Sequence, residues 1–408
     1  MKCGLLGGKL AHSYSPQIHS QLGNYSYSLF EKSAEELEDF LKNGDFTGLN
    51  VTIPYKKSVI PYCAELSDCA KMLGAVNTVV RRNDGSLIGH NTDYSGFATM
   101  LRTSGLSVSG KKVLVLGSGG ASNTVVAVLQ AQGADPVVIS RSGENNYEKL
   151  HLHSDAAVIV NATPVGMYPK VGVSPVDLTL FPALEGVLDL IYNPARTQLL
   201  LDAESLGLIA CNGLEMLVAQ AKESAQWFTG NLISDDVIPK IHRSLKNSME
   251  NIILIGMPGC GKTTVGGLLA KRTSKNFVDA DEYLAEKAGK TIPEIFADIG
   301  EAGFRRLETQ TLADLGKQSG LVIATGGGCV TVNRNYPLLR QNGTLFWLQR
   351  SISKLPVDGR PLSQTNDLEK MYEARKPMYQ RFADHIVDNN CEPETAANTI
   401  AKILEGNV

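Results

Sequence analysis

Short runs of β-branched and aliphatic residues, each followed by glycines and then by apolar positions at helical spacing, recur along this chain. Val113-Leu-Val-Leu116 leads into Gly117-Ser-Gly-Gly120, and Ile252-Ile-Leu-Ile255 leads into Gly256-Met-Pro-Gly-Cys-Gly261. Strand, glycine loop and helix in that order build parallel sheets covered by helices, and the helix start suits a phosphate. Two such α/β units are therefore predicted. Upstream, residues 1 to about 93 read as a separate α/β layer. There Ser33 and Glu36 have capping-box spacing, and Leu37, Phe40 and Leu41 form an apolar stripe ending at Gly44. Leu214, Leu217, Val218, Ala221, Ala225 and Phe228 also keep helical spacing, and a last helix is expected from about Asp235 to Lys246. Asn247-Ser-Met-Glu250 is then a very short linker. Met249 stands where a free-standing second protein would start, which suggests a gene fusion.

Length and charge sharpen this picture. The 408 residues fit two or three domains of about 150 residues, and 43% hydrophobic residues supply a core for each. The chain carries 39 Lys and Arg against 42 Asp and Glu. Up to residue 250 the count is 20 basic and 24 acidic, and beyond it 19 and 18, so neither part has the basic surface of a nucleic-acid binder. Seven cysteines are scattered singly without a CxxC pair, as in a reducing cytosol. Glycines break the N-terminal apolar stretch, and no run approaches the roughly 18 apolar residues of a membrane span. A soluble cytoplasmic protein without a membrane partner is expected, a monomer or homodimer acting on small molecules.

Gly117, Ser118, Gly119, Gly120, Ala121 and Ser122 follow the dinucleotide fingerprint with Ser122 in the third glycine's place. A strand precedes them, a helix from Thr124 to Ala131 follows, and Pro136-Val-Val-Ile139 closes the unit. Where an NAD site ends this second strand with a carboxylate, the chain has Ser140-Arg141-Ser142. The cation and hydroxyls of Arg141 and Ser142 suit a 2′-phosphate, hence NADP(H), unless Arg141 is merely a solvated loop residue.

Polar clusters fill the first hundred residues. His12-Ser13-Tyr14-Ser15-Pro16 places Ser15 at a helix N-cap with Pro16 behind it, where a carboxylate is favoured. Asn50-Val-Thr52-Ile-Pro54 reads as a strand that delivers Lys56 to a loop, while Asn77, Thr78, Asn91, Thr92 and Asp93 add amide, hydroxyl and carboxylate groups. Taken singly, Ser15 and Asp93 could be plain caps, Asn77 a turn residue and Lys56 a surface lysine. Taken together, HSxSP, NVTxPxK, GAVNT and NTD, followed by GSGGAS, Asn161-Ala-Thr-Pro-Val-Gly-Met167, Asp189-Leu-Ile-Tyr192-Asn-Pro194 and Asn212-Gly213 with Gln220, resemble the shikimate dehydrogenase family over about residues 1–246. The resemblance implies that Ser13, Ser15, Thr52, Asn77, Asp93, Tyr192 and Gln220 hold the substrate, that Lys56 and Asp93 are the acid/base pair, and that Gly213 lies at the cofactor. Lys9 and Asn145 depart from the family's usual proline and second arginine.

Gly256-Met-Pro-Gly-Cys-Gly261-Lys262-Thr263 fits GxxxxGK[ST] at every position. In such a loop the backbone of Gly256, Gly259, Cys260, Gly261, Thr263 and Thr264 wraps the phosphates of ATP, Lys262 reaches the β/γ oxygens, and Thr263 ligates Mg²⁺. Cys260 itself reads as a small filler. Downstream, Phe277-Val-Asp279-Ala-Asp281 is expected to end a strand with both carboxylates on one face. With Gly303-Phe-Arg305-Arg-Leu-Glu308, Ile323-Ala-Thr-Gly326-Gly327-Gly328, Arg360-Pro-Leu362 and Arg375-Lys-Pro-Met-Tyr379, this region resembles shikimate kinase over about residues 251–405. The resemblance implies that Asp281 orients the attacking hydroxyl, Arg305 and Arg375 clamp a carboxylate, Gly327 and Gly328 admit the substrate ring, Asp279 assists the Mg²⁺ site, and Arg360 neutralises the moving phosphoryl group. The segment before Arg360 is shorter than usual and lacks an arginine often found there, so Lys354 is expected to carry that charge.

The expected architecture is thus a catalytic α/β domain (1–93 with 211–246), a Rossmann NADP domain (94–210), a linker (247–250) and a P-loop α/β domain (251–408). The expected function is reduction of 3-dehydroshikimate followed by phosphorylation of shikimate. The alternatives are a quinate/shikimate dehydrogenase fused to a small-molecule kinase of altered specificity, or a non-catalytic sensor of metabolite and nucleotide.

Overall fold

The computed structural model describes residues 1–10, 13–355 and 368–405. The chain divides into two compact units. One comprises Met1–Met167, Val173–Tyr192 and Leu199–Leu245, the other Tyr168–Gly172, Asn193–Gln198 and Lys246–Val408.

The first unit holds two sheets. The N-terminal sheet runs in the order Ser26–Glu31, Lys2–Gly7, Gly48–Val51, Thr78–Arg81, Leu87–His90, Glu65–Leu66. Its first three strands are parallel, and Thr78–Arg81 lies antiparallel to both of its neighbours. Leu6, Leu49, Val51 and Val79 bury on it together with Leu37 and Leu41, the stripe read from the sequence. That stripe's helix is Leu37–Asn43 with Gly44 as its C-cap. Ser33 donates its backbone N–H to Glu36 (2.9 Å), while Glu36 itself takes the N-cap position.

The second sheet is parallel throughout, in the order Ile209–Asn212, Gly186–Asp189, Val158–Asn161, Lys112–Leu116, Asp135–Ile139. Its strands are apolar on both faces because helices cover both. Val113, Val115, Val158, Val160 and Leu188 enter one core, and Leu114, Leu116, Ile159 and Val187 enter the other. The chain reverses direction of winding between Lys112–Leu116 and Val158–Asn161, and a doubly wound sheet takes its ligand at the carboxyl ends of such a pair. The helices Asp93–Thr103 and Leu214–Thr229 pack closely enough that a Cβ on Gly96 would lie 2.9 Å from the Met216 carbonyl oxygen.

The second unit is built on a third parallel sheet, ordered Asn276–Asp279, Leu321–Ala324, Asn251–Ile255, Gly343–Gln349, His385–Asp388. Its central strand, Ile252 to Ile255, is fully buried and feeds the second glycine loop.

Two expectations change. The helix expected to end near Lys246 runs from Val237 to Met249, leaving only Glu250 before the strand Asn251–Ile255. Ile238, Ile241, Leu245 and Met249 are all buried, so the apolar stripe carries the helix through the segment read as a linker. Asp281 is not on a strand. The strand ends at Asp279, whose carboxylate accepts the backbone N–H groups of Asp281 and Glu282 and so starts the helix Ala280–Ala288. Among the described residues, no helix is long and apolar enough to cross a membrane.

Candidate active sites

In the first unit the strand Gly48–Val51 gives way to a turn closed by the Tyr55 N–H on the Thr52 carbonyl (2.9 Å), and this lifts Lys56 to the sheet's end. There Lys56 Nζ meets Asp93 Oδ2 at 2.6 Å. Asp93 begins the helix Asp93–Thr103 but does not spend its carboxylate on a cap, because the other oxygen, Oδ1, accepts from Asn77 Nδ2 at 2.9 Å. Asn77 is oriented in turn by Thr92, whose backbone N–H donates to Asn77 Oδ1 at 2.8 Å. The pair thus opens a cavity of about 270 Å³. Ser13, Ser15, Thr52, Lys56, Asn77, Asp93, Tyr192 and Gln220, every substrate and catalytic residue expected for this half, line it. Ser15 sits inside the first turn of the helix Ser15–His19, one position later than read; its backbone N–H donates to Ser13 Oγ (3.2 Å). Leu5, Val51, Leu190, Met216 and Leu217 give the cavity apolar walls.

Behind it lies a polar layer that joins the motif residues Asn50, Thr78 and Thr92 to Ser224, Tyr27 and His19, which the motifs did not single out. Ser224 Oγ is 2.8 Å from Thr78 Oγ1 and 3.0 Å from Thr92 Oγ1, and accepts from Asn50 Nδ2 at 2.8 Å. Tyr27 donates to Asn50 Oδ1 (2.7 Å), and His19 stacks on the Tyr27 ring at 4.0 Å. Burial pushes His19 down to about 3, which keeps it neutral near pH 7. The available signal was a single serine, Ser224, on the apolar face of Leu214–Thr229.

Ala121 brings the first glycine loop to the same cavity, and Gly213 reaches it from the start of the helix Leu214–Thr229. Gly119 precedes the helix Gly120–Ala131, and nothing stands within 4 Å of where Cβ atoms on Gly119 or Gly120 would lie, so a pyrophosphate can approach the exposed N–H groups. Gly213 could carry no side chain, since its Cβ would meet the Leu190 carbonyl oxygen at 2.1 Å. Arg141 and Ser142 are exposed just beyond the strand Asp135–Ile139, which pairs Ile139 with Leu116 immediately before the loop. These residues fit a dinucleotide.

The second unit forms a cavity of about 540 Å³ at its own glycine loop. Gly256, Gly259 and Gly261 have φ of 146°, 81° and 97°, which side chains rarely allow. Lys262 Nζ donates to the carbonyls of Gly256 (2.9 Å) and Met257 (3.1 Å). Thr263 Oγ1 donates to Asp279 Oδ2 at 2.8 Å, so the two residues expected at a metal already touch. A hydroxyl and a carboxylate, completed by phosphate oxygens and water, suit Mg²⁺. Gly259, Gly261, Lys262, Thr263, Thr264, Asp279, Asp281, Arg305, Gly327, Gly328 and Arg375 line this cavity. Cys260 does not: it is fully buried, and its carbonyl accepts from Asn389 Nδ2 at 2.6 Å. Ser118 and Gly256 likewise shape loops without appearing on either cavity wall.

Arg305 pairs with Glu308 at 2.8 Å, and Arg375 reaches the Gly327 carbonyl at 3.3 Å. A Cβ on Gly328 would lie 2.2 Å from Arg305 Nη2, so that glycine seats the arginine rather than only admitting a ring. Burial, then the charge of Asp279, raises Asp281 above the usual carboxylate range, and burial also raises Glu308 despite its arginine partner. Glu308 stands within a quoted motif that by itself assigns it no role. Arg360 lies outside the described residues. Lys354, expected to carry the missing lid charge, instead donates to the Asn390 carbonyl at 2.8 Å and is absent from the cavity wall.

Residues 5–79 match the family model for the shikimate dehydrogenase substrate binding domain, and residues 258–405 match that for shikimate kinase. A shikimate dehydrogenase (NADP(+)) of Clostridium beijerinckii is 38% identical over 240 residues, 53% of this chain and 88% of that protein. Among solved structures, a chorismate mutase/shikimate 5-dehydrogenase fusion protein from Clostridium acetobutylicum is 38% identical with a TM-score of 0.57, covering 60% of this chain and 97% of that one. Shikimate 5-dehydrogenase from Thermus thermophilus, in complex with NADP(H) and shikimate, is 31% identical with a TM-score of 0.55, covering 60% and 99%. With the Lys56–Asp93 cavity in one unit and the Lys262 loop in the other, the chain belongs to the shikimate dehydrogenase family in its N-terminal part and carries a shikimate kinase domain in its C-terminal part.

Proposed function

We propose that this chain catalyses two successive steps, reduction of 3-dehydroshikimate to shikimate with NADPH and phosphorylation of shikimate to shikimate 3-phosphate with MgATP. In this reading residues 1–93 with 211–246 form the catalytic domain of the dehydrogenase, residues 94–210 its dinucleotide domain, and residues 251–408 the kinase. The observation that carries it is the 2.6 Å contact between Lys56 and Asp93 at a cavity where hydroxyls, amides and a dinucleotide loop converge. Bound NADPH supplies the hydride and bound MgATP the phosphoryl group. As the ketone carbon gains hydride, its oxygen gains the electron pair of the broken C=O π bond, and the Lys56 ammonium donates the proton that makes it a hydroxyl. Asp93 holds that ammonium in place, and Asn77 holds Asp93. Ser13 and Ser15 bind the substrate carboxylate in this reading. In the second site Arg305 and Arg375 hold the carboxylate, and Asp281 orients the attacking hydroxyl and accepts its proton.

The purified chain supplied with 3-dehydroshikimate and NADPH should consume NADPH and form shikimate, and addition of MgATP should convert shikimate to its 3-phosphate. A chain that turned over quinate but not shikimate, or bound both ligands without turnover, would reject the proposal. Lys56→Ala should lose on the order of 10² to 10⁴ in reductase turnover while still binding NADP(H) and still phosphorylating shikimate. Near-normal reduction by that variant removes Lys56 from the chemistry.

A further inference from the structure

The kinase cavity contains a cation to which no role has yet been given. Arg350 follows the strand Gly343–Gln349, which pairs with the central strand Asn251–Ile255, Trp347 standing opposite Ile255. The two strands are parallel, so Arg350 and the glycine loop leave the sheet at the same end. A Cβ on Gly256 would lie 2.6 Å from the Leu348 carbonyl oxygen, and a Cβ on Gly261 would lie 3.8 Å from Arg350 Nη1. Arg350 lines the 540 Å³ cavity. Its Nε is buried without a hydrogen-bond partner, and no ion pair joins its guanidinium to another described residue.

The other cations of this cavity are engaged, Lys262 with the carbonyls of Gly256 and Met257. Arg305 pairs with Glu308, Arg375 with the Gly327 carbonyl, and Asp279 with Thr263. Arg305, Asp281 and Glu308 gather around Gly326 and Gly328, whereas Arg350 lies against Gly261 and Asn389 at the start of the helix Lys262–Thr273. That is where the loop presents its N–H groups to phosphate. A guanidinium offers paired donors that match phosphate oxygens, and leaving a buried donor unpaired is costly until such a ligand arrives.

We propose that Arg350 is a further nucleotide-binding residue of the kinase, pairing with the phosphates of the bound nucleotide and supplying the positive charge that Lys354, turned to Asn390, does not. This rests on the kinase reading above, but its test can be separated from that reading. Calorimetric titration of the full chain with MgADP should show binding weakened about ten- to hundred-fold in Arg350→Ala, the loss expected for one charge-assisted hydrogen-bonding group. Arg350→Lys should recover part of it. The affinity for adenosine, the KM for shikimate in the kinase assay and the reductase rate should stay at wild-type values.

Unchanged MgADP affinity in Arg350→Ala overturns the proposal. An equal loss for adenosine and MgADP also overturns it and assigns Arg350 to the base. A loss confined to the shikimate KM places it at the acceptor end, against the proposal. A wild-type chain that binds MgADP but does not phosphorylate shikimate would reject the acceptor assignment while leaving the Arg350 comparison decisive.

Discussion

Asp281 has an environment that sets a measurable property of the kinase. Burial disfavours its charged form, the neighbouring carboxylate of Asp279 disfavours it further, and Lys262 and Arg305 only partly compensate. Its proton is therefore lost at a higher pH than the roughly 3.9 of an ordinary aspartate. In its proposed role as proton acceptor Asp281 works only when ionised, so kinase turnover should fall with decreasing pH along a limb lying above the ordinary carboxylate range. A pH profile of kcat with saturating shikimate and MgATP measures that limb. Asp281→Asn should remove it together with on the order of 10² to 10⁴ in turnover. A limb at the ordinary position would mean that the cavity admits enough water to solvate the carboxylate. At this scale the sequence exposed the residue types well and their surroundings poorly. Ser13, Ser15, Lys56 and Asp93 were legible because polar side chains clustered in short motifs. The link from Asn50 to Ser224 and Tyr27 was not, because it joins residues as far as 174 positions apart. Arg350 was hidden for the same reason: what marks it is its place beside Gly261.

Elements were most legible where a pattern was long. The two glycine loops, the stripe from Leu214 to Phe228 and the parallel strands around them all follow from periodicity. Boundaries were not, because a local competitor decided them. Asp279 reads as one of two carboxylates on a strand face, yet an aspartate that can accept two following N–H groups ends a strand and starts a helix. Met249, which reads as a fusion start, is buried as the last apolar residue of a helix. The loop Gly326–Gly328 shows how such a boundary serves the site. Its glycines leave room for side chains arriving from other elements: Glu308 and Asp281 at Gly326, Pro258 at Gly327 and Arg305 at Gly328. In Gly328→Ala the new methyl would stand 2.2 Å from Arg305 Nη2, so the guanidinium must leave its seat. The KM for shikimate in the kinase reaction should rise by about ten-fold or more, as for loss of a charge-assisted contact, with MgADP binding little changed. An unchanged KM would show that Arg305 does not bind the acceptor.

For the molecule as a whole, the described residues that line each cavity belong to one unit. Every residue lining the first lies between Leu5 and Gln220 in the unit that begins at Met1, and every residue lining the second lies between Pro258 and Arg375 in the other. Among the described residues neither cavity borrows a side chain from the other unit, so each reaction is expected to proceed without the other site being intact. Joining the two enzymes guarantees equal amounts and raises local concentration, but tethering alone does not direct a product from one mouth to the next. Shikimate is then expected to pass through solution. A mixture of Lys56→Ala, expected to be impaired in reduction, and Asp281→Asn, expected to be impaired in phosphorylation, should convert 3-dehydroshikimate to shikimate 3-phosphate faster than either variant alone. Shikimate should accumulate first, producing a lag of the same form as in the wild-type chain at matched active-site concentrations. Excess inactive kinase variant that binds shikimate should lengthen the lag in both. A wild-type reaction without a lag, resistant to that trap while the mixture is not, would establish direct transfer and defeat the independence inferred from the two sets of lining residues.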